Sequence, residues 1–259
     1  MSEIDSYAPG TPCWVELATS DIDAARTFYT GVFGWDYEVA GPEAGNYVIP
    51  QVKGRAVAGM MTQGDEERAQ GIPPHWRTYV SVASADDTAA RARDLGGTVV
   101  MESFDVMDLG RMCGLIDPEG AFIAAWQPKT HLGAGIANEP GTYCWSELCS
   151  RDLERSKAFY SGLFGWSAKA SEGMDYTEWQ VDGRSVGGLM EITSEMGDVP
   201  PSWLAYFACD DTDQVCAKAT QAGGALFVPP TDIPPGRFAV VADHQGAVFA
   251  VIAMTQQPA

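Results

Sequence analysis

The chain repeats itself. Residues 9–38 read PGTPCWVELATSDIDAARTFYTGVFGWDYE and residues 140–169 read PGTYCWSELCSRDLERSKAFYSGLFGWSAK, an offset of 131 with 14 of 30 positions identical. Residues 73–97, from PPHW to LGG, match 200–224, from PPSW to AGG; Gly110-Arg111 matches Gly236-Arg237, and DPEG at 117–120 matches DHQG at 243–246. A tandem duplication restricts the fold to two like units, each with its own set of apolar faces to bury. Between them runs PKTHLGAGIANEP (128–140), whose glycines and prolines suit a linker. We expect one domain over residues 1–130 and a second over 138–259.

Each half divides again. Residues 13–19 alternate as a short strand. Ser20 and Asp23 then form a capping pattern, and Ile22, Ala25, Phe28, Tyr29 and Val32 follow helical spacing up to Gly34. Strands are expected at about 35–40, 46–52 and 55–62, separated by turns with Gly or Pro. The order returns with a strand at 77–83, a helix at 86–95, a break at Gly96-Gly97, and strands near 98–103, 112–117 and 121–126. The pattern is strand, helix, three strands, four times over.

Composition narrows the function. Apolar residues make up 46% of the chain, enough for real cores, and the formal charge is −19. Such acidity repels phosphate backbones and anionic lipids, so no nucleic-acid and no membrane partner is expected. The first ten residues carry no signal-peptide pattern, and the six cysteines form no CxxC pair. The expected setting is cytoplasmic with reduced thiols, as a monomer or homodimer.

The run of strand, "SD(I/L)", amphipathic helix, "FY" and "G(V/L)FGW", closed by "DPEG" and an apolar strand, resembles a module of the vicinal-oxygen-chelate superfamily (glyoxalase, bleomycin-resistance and dioxygenase proteins). The likeness spans residues 9–254 and fits a fused, four-module type. It implies an α+β fold of four βαβββ modules, forming two cupped mixed sheets with helices on the outer faces, and a ligand cavity in each cup. Metal-using relatives place ligands on the first and last strands of each module. Those positions fall here on Trp14, Arg77, Trp145 and Leu204, and on Ala124 and Ala250. Only Glu191 is a carboxylate near such a position, and His75, His131 and His244 fall in turns or linkers. We therefore expect no metal and no other cofactor, which removes the Lewis acid that glyoxalase and ring-cleaving chemistry need.

Alternation along the strands gives the cup lining. Cys13, Val15 and Leu17 should face the helix, leaving Trp14 and Glu16 in the cup, with Trp145 and Glu147 as their repeat. On the next strand Arg77 and Tyr79 face inward, with Leu204 and Tyr206 as counterparts. Trp14, Arg77, Tyr79, Trp126, Trp145 and Tyr206 are the candidate ligand-binding residues: indoles supply a stacking wall for a flat molecule. Glu16 and Glu147 are the candidate catalytic residues. A carboxylate on a half-buried strand is costly unless paired, so each either forms an internal ion pair, with Arg77 available to Glu16, or carries a raised pKa. The expected function is metal-independent binding of a hydrophobic, planar small molecule, of resistance or sequestration type. The alternatives are a metal-free enzyme using a cup carboxylate as general base, beside the aromatic-polyketide oxidation steps that relatives of this type accompany, and a glyoxalase- or dioxygenase-like enzyme with an atypical metal site. Which modules share a cup is open, consecutive pairing being the simpler choice.

Overall fold

The computed structural model describes residues 4–255. The first half contains β1 (Pro12–Thr19), α1 (Ile22–Phe33), β2 (Asp36–Val39), β3 (Val48–Val52), β4 (Arg55–Ala56), β5 (Gly59–Thr62), α2 (Asp65–Ala69), β6 (His75–Ser81), α3 (Ala85–Asp94), β7 (Thr98–Val106), β8 (Gly110–Ile116) and β9 (Phe122–Pro128). The second contains β10 (Tyr143–Ser150), α4 (Leu153–Phe164), β11 (Ser167–Ala170), β12 (Thr177–Val181), β13 (Arg184–Glu191), β14 (Ser202–Ala208), α5 (Thr212–Gln221), β15 (Ala225–Ile233), β16 (Gly236–Ala242) and β17 (Val248–Met254).

Consecutive modules share a sheet. The first has the order β2-β3-β5-β1-β6-β9-β8-β7, with β4 beside β3; the second has β11-β12-β13-β10-β14-β17-β16-β15. Both are mixed: β1 runs parallel to β5 and antiparallel to β6, as β10 does to β13 and β14. This is the expected α+β architecture of four modules in two sheets.

Local chemistry sets the helix ends. Asp21, not Ser20, caps α1: its carboxylate accepts from the amides of Asp23 and Ala24 at 3.1 and 3.0 Å. Ser20 instead donates to Gln245 of the other half at 2.6 Å. Gly34 and Gly165 close α1 and α4 in the left-handed conformation. The short helix α2 escaped the sequence reading, being too brief to show a period. Cys13 also departs from the expected alternation. A bulge between Pro12 and Trp14 turns it toward Tyr79, whose carbonyl accepts from its thiol at 3.6 Å.

The helices lie on the back of each cup, as expected, and those backs face one another. Helix α1 packs on α5 and α3 on α4, while β6 meets β14 between the helix pairs. One core therefore joins chiefly the first and fourth modules, with Tyr29, Trp35, Phe207 and Phe249 buried together with Trp76 of β6. The other joins chiefly the second and third, around Phe159, Tyr160, Trp166 and Trp179, with Trp203 of β14. Each sheet is built from neighbours in sequence, and each core from modules in different halves.

The repeated motifs tie the halves together. The indole of Trp35, from the first FGW, donates to the Gly141 carbonyl at 2.6 Å, and that of Trp166 donates to Gly10 at 2.6 Å. The aspartates of DPEG and DHQG each accept two amides of their own turn, and each also accepts a tyrosine hydroxyl from the other half. Tyr160 donates to Asp117 at 2.9 Å and Tyr29 to Asp243 at 3.1 Å. Those hydroxyls in turn accept the indoles of Trp203 and Trp76 at 2.8 and 3.0 Å. Tyr160→Phe removes the hydroxyl from between two buried partners. We expect the loss of about 1–3 kcal/mol that stranding buried polar groups brings, read as a lower urea midpoint; an unchanged midpoint would contradict this role.

Candidate functional site: two cups with one carboxyl each

Each cup has the same floor. In the first, Trp14 pairs across the sheet with Tyr79 and Glu16 with Arg77; in the second, Trp145 pairs with Tyr206 and Glu147 with Leu204. A second tyrosine joins each floor from the segment before β3 or β12. In the first cup the Trp14 indole donates to Tyr47 at 3.2 Å. Tyr47 then donates to one oxygen of Glu16 at 2.7 Å, and Tyr79 donates to the other at 2.9 Å. In the second, the Trp145 indole donates to Tyr176 at 2.9 Å, and Tyr206 donates to Glu147 at 2.9 Å, with Tyr176 as the carboxyl's other hydrogen-bond partner. A glycine beside the carboxylate in register makes room for the added tyrosine. A Cβ on Gly59 or Gly188 would come within 1.7 Å of the Tyr47 or Tyr176 hydroxyl. Sequence reading missed both tyrosines, although they recur beside matching strands.

The cups then diverge. In the first, the Arg77 guanidinium lies 3.4 Å from Glu16, bonds Glu67 of α2, and sits over the Phe122 ring. Its Nε donates to Nε2 of His75 at 3.1 Å. Burial holds His75 below the usual imidazole range, so its ring stays neutral and can accept that bond. The chain between the halves also crosses this cup. His131 packs edge-on against Trp14 with centroids 4.6 Å apart, and its carbonyl accepts the Trp126 indole at 2.9 Å. Ala134 bonds the Cys13 carbonyl at 2.8 Å and is buried with Trp14, Tyr79 and Trp126. The approach is so close that a Cβ on Gly133, at φ +126°, would lie 2.5 Å from the Cys13 carbonyl oxygen. The first cup is thus filled by an arginine, a histidine and the linker.

The second cup is open. A cavity of about 1200 Å³ occupies it, lined by Trp145, Glu147, Tyr176, Tyr206, Cys144, Ile252 and neighbours, with Glu172, Glu178, Asp210 and Arg184 at its wall and rim. Two positions differ between the cups: Leu204 stands where Arg77 stands in the first, and Ile252, which lines the cavity, stands where Trp126 stands. Trp145 is half-buried where Trp14 is buried. Glu147 is 5% exposed, and among the described residues no cation bonds it. Burial raises its pKa above the usual value of 4.5, against the two tyrosine hydrogen bonds that lower it. Burial also pushes the cup thiols up, that of Cys149 to about 12, and they stay protonated.

Of the expected site residues, the structure gathers Trp145, Glu147 and Tyr206 at the open cavity. It places Trp14, Glu16, Arg77, Tyr79 and Trp126 in the filled cup, where each has protein partners. The groups at the positions expected for metal ligands do not fit an ion. They are two indoles, whose nitrogens donate, together with a guanidinium, a leucine and two alanines. Among the described residues no group of three or more His, Cys, Asp or Glu is arranged to hold one. Glu191 ends β13, exposed, and His75 opens β6 rather than lying in a turn. Among the described residues no helix is long and apolar enough to cross a membrane.

Fold and cups define a family. The model of the Glyoxalase/Bleomycin resistance protein/Dioxygenase superfamily matches residues 12–125 and again 142–251, and the chain belongs to that superfamily. It is 41% identical over 261 residues to "Putative glyoxylase CFP32" of Mycobacterium tuberculosis, covering 97% of this chain and 98% of that protein. It is 32% identical over 263 residues to the anthracycline biosynthesis protein DnrV of Streptomyces peucetius, covering 96% and 95%. Among solved structures, the Mn(II)-bound glyoxalase of Novosphingobium aromaticivorans superposes with a TM-score of 0.66 at 13% identity, covering 96% of this chain and 86% of that one, a likeness of fold.

The raised carboxyl has a measurable consequence. Folded protein keeps the Glu147 proton at pH values where the unfolded chain has released it. That contribution to stability is complete below the ordinary glutamate value of 4.5 and is lost as pH rises through the raised folded value. Unfolding measured from about pH 5 to about pH 9 should show this decline in the wild type and a flatter profile in Glu147→Gln. Parallel profiles would contradict it.

Proposed function

We propose that the chain binds a hydrophobic, planar small molecule in its second cup without a metal ion, as a sequestering or presenting protein. The observation that carries this reading is the difference between two otherwise matching floors: one is plugged by the protein's own groups, and the other faces a cavity of about 1200 Å³. That volume exceeds the roughly 300–1000 Å³ of ordinary drug-sized sites and suits several fused rings. Trp145 and Tyr206 offer aromatic surface, and Ile233, Ile252, Met174 and Met254 adaptable apolar walls. The name of DnrV, an anthracycline biosynthesis protein, is consistent with a polycyclic aromatic ligand. A second reading rests on Glu147: a carboxyl lifted above its usual range at the base of a cavity is suited to proton transfer next to a ligand carbonyl. In that case Glu147→Gln would abolish turnover and leave affinity near wild type.

Binding is tested by quenching of tryptophan fluorescence with planar polycyclic compounds. Saturable quenching should weaken in Trp145→Phe and persist in Trp14→Phe. Leu204→Arg would carry the guanidinium of the first cup into the second, beside Glu147. It should lower affinity by about tenfold or more, equivalent to about 1.4 kcal/mol, while the protein stays folded. Quenching that depends on Trp14 but not Trp145 would refute the assignment to the second cup.

A further inference from the structure

Hydrogen counting in the second cup specifies what the ligand must carry, given the ligand-binding reading above. An indole can only donate, so Trp145 fixes Tyr176 as its acceptor and turns the Tyr176 proton toward Glu147. Tyr206 meets the other side of the same carboxyl. If Glu147 were ionised, the three protons of Trp145, Tyr176 and Tyr206 would all be consumed within the cluster, and the floor would offer the cavity acceptors alone. If Glu147 is neutral there are four protons and three internal bonds. One O–H, on Glu147 or relayed through Tyr206, is left to donate into the cavity.

Burial among uncharged groups favours the neutral form and outweighs the two tyrosine hydrogen bonds, which favour the ionised one. Gly188 and Leu204 flank Glu147 in register, Tyr176 and Tyr206 bond it, and Cys149, a protonated thiol, lies along the same strand face. None is a cation. In the first cup Arg77 stands at the position of Leu204 and bonds the matching glutamate directly. At the wall and rim of the second cavity, Glu172, Glu178 and Asp210 outnumber Arg184.

We propose that the second cup recognises uncharged or cationic polycyclic carbonyl compounds, of quinone or aryl-ketone type, by a hydrogen bond from the Glu147–Tyr206 pair to the ring carbonyl. Anionic ring systems are disfavoured, because no described residue places a cation at the floor and acids predominate at the rim. The hydrogen bond distinguishes a quinone from a hydrocarbon of the same shape, which the apolar walls alone would accept equally.

The test uses three probes on the full chain near neutral pH, read by tryptophan quenching: hydroxymethyl-anthraquinone, hydroxymethyl-anthracene and anthraquinone sulfonate. The quinone should bind roughly tenfold tighter than the hydrocarbon and than the sulfonate. Glu147→Gln, whose amide keeps an N–H to donate, should retain the preference for the quinone, and Glu147→Ala should lose it. Equal affinity for quinone and hydrocarbon overturns the proposal, as does a preference that appears only in Glu147→Gln, which would mean an ionised wild-type carboxylate. Equal or tighter binding of the sulfonate overturns it too. Those results leave the ligand-binding reading intact, whereas failure of all three probes to bind removes that reading and this inference together.

Discussion

Everything in this molecule depends on covering the backs of two sheets. A twisted sheet with one helix per module leaves apolar surface that its own half cannot bury. The two halves therefore press those faces together, and their helices pair across the join. The apolar contact is large but lacks direction. Direction comes from the buried polar chains from tryptophan through tyrosine to aspartate, and from the FGW indoles reaching carbonyls of the opposite half. These bonds are short, far from water, and doubled by the duplication.

With the backs committed to the core, the concave faces are free to differ. Both floors keep the costly group, a glutamate held by two tyrosines, one of which accepts an indole N–H. The halves meet that cost in different ways. In the first, a guanidinium neutralises the carboxylate, and Glu67 and His75 complete the guanidinium's bonds. In the second, no described residue sets a cation beside the carboxyl, and burial raises its pKa above the usual glutamate value. Arg77 against Leu204, Trp126 against Ile252, and the linker laid over the first floor separate a structural cup from one that faces a cavity.

Much of this was legible in the sequence, because the relevant signals are local. The duplication, the alternation that put Trp145, Glu147 and Tyr206 on one face, and the glycine ends of α1 and α4 all follow from periods of two and 3.6 residues. What escaped depended on distant segments meeting. Tyr47 and Tyr176 enter the floors from loops, where no period says which way a side chain points. The bulge at Cys13 shifts alternation by one residue without a marker in composition. His131 reads as part of a polar linker and is in fact packed against two indoles. The repeat held a usable hint: both added tyrosines recur, and so do the glycines that make space for them.

The linker crossing the first cup also decides how far the halves can be taken apart. A connecting segment between like domains is ordinarily a tether, free to be cut or lengthened. Here Ala134 and Gly135 bond backbone carbonyls of the first half, and Gly133 lies against one of its strands. A cut just after β9 would uncover the first half on two sides at once, stripping its helices of their partners and withdrawing the segment that fills its cup. The second half would retain that segment as a loose leader. The two like halves are thereby a single object, in which part of the junction serves as interior.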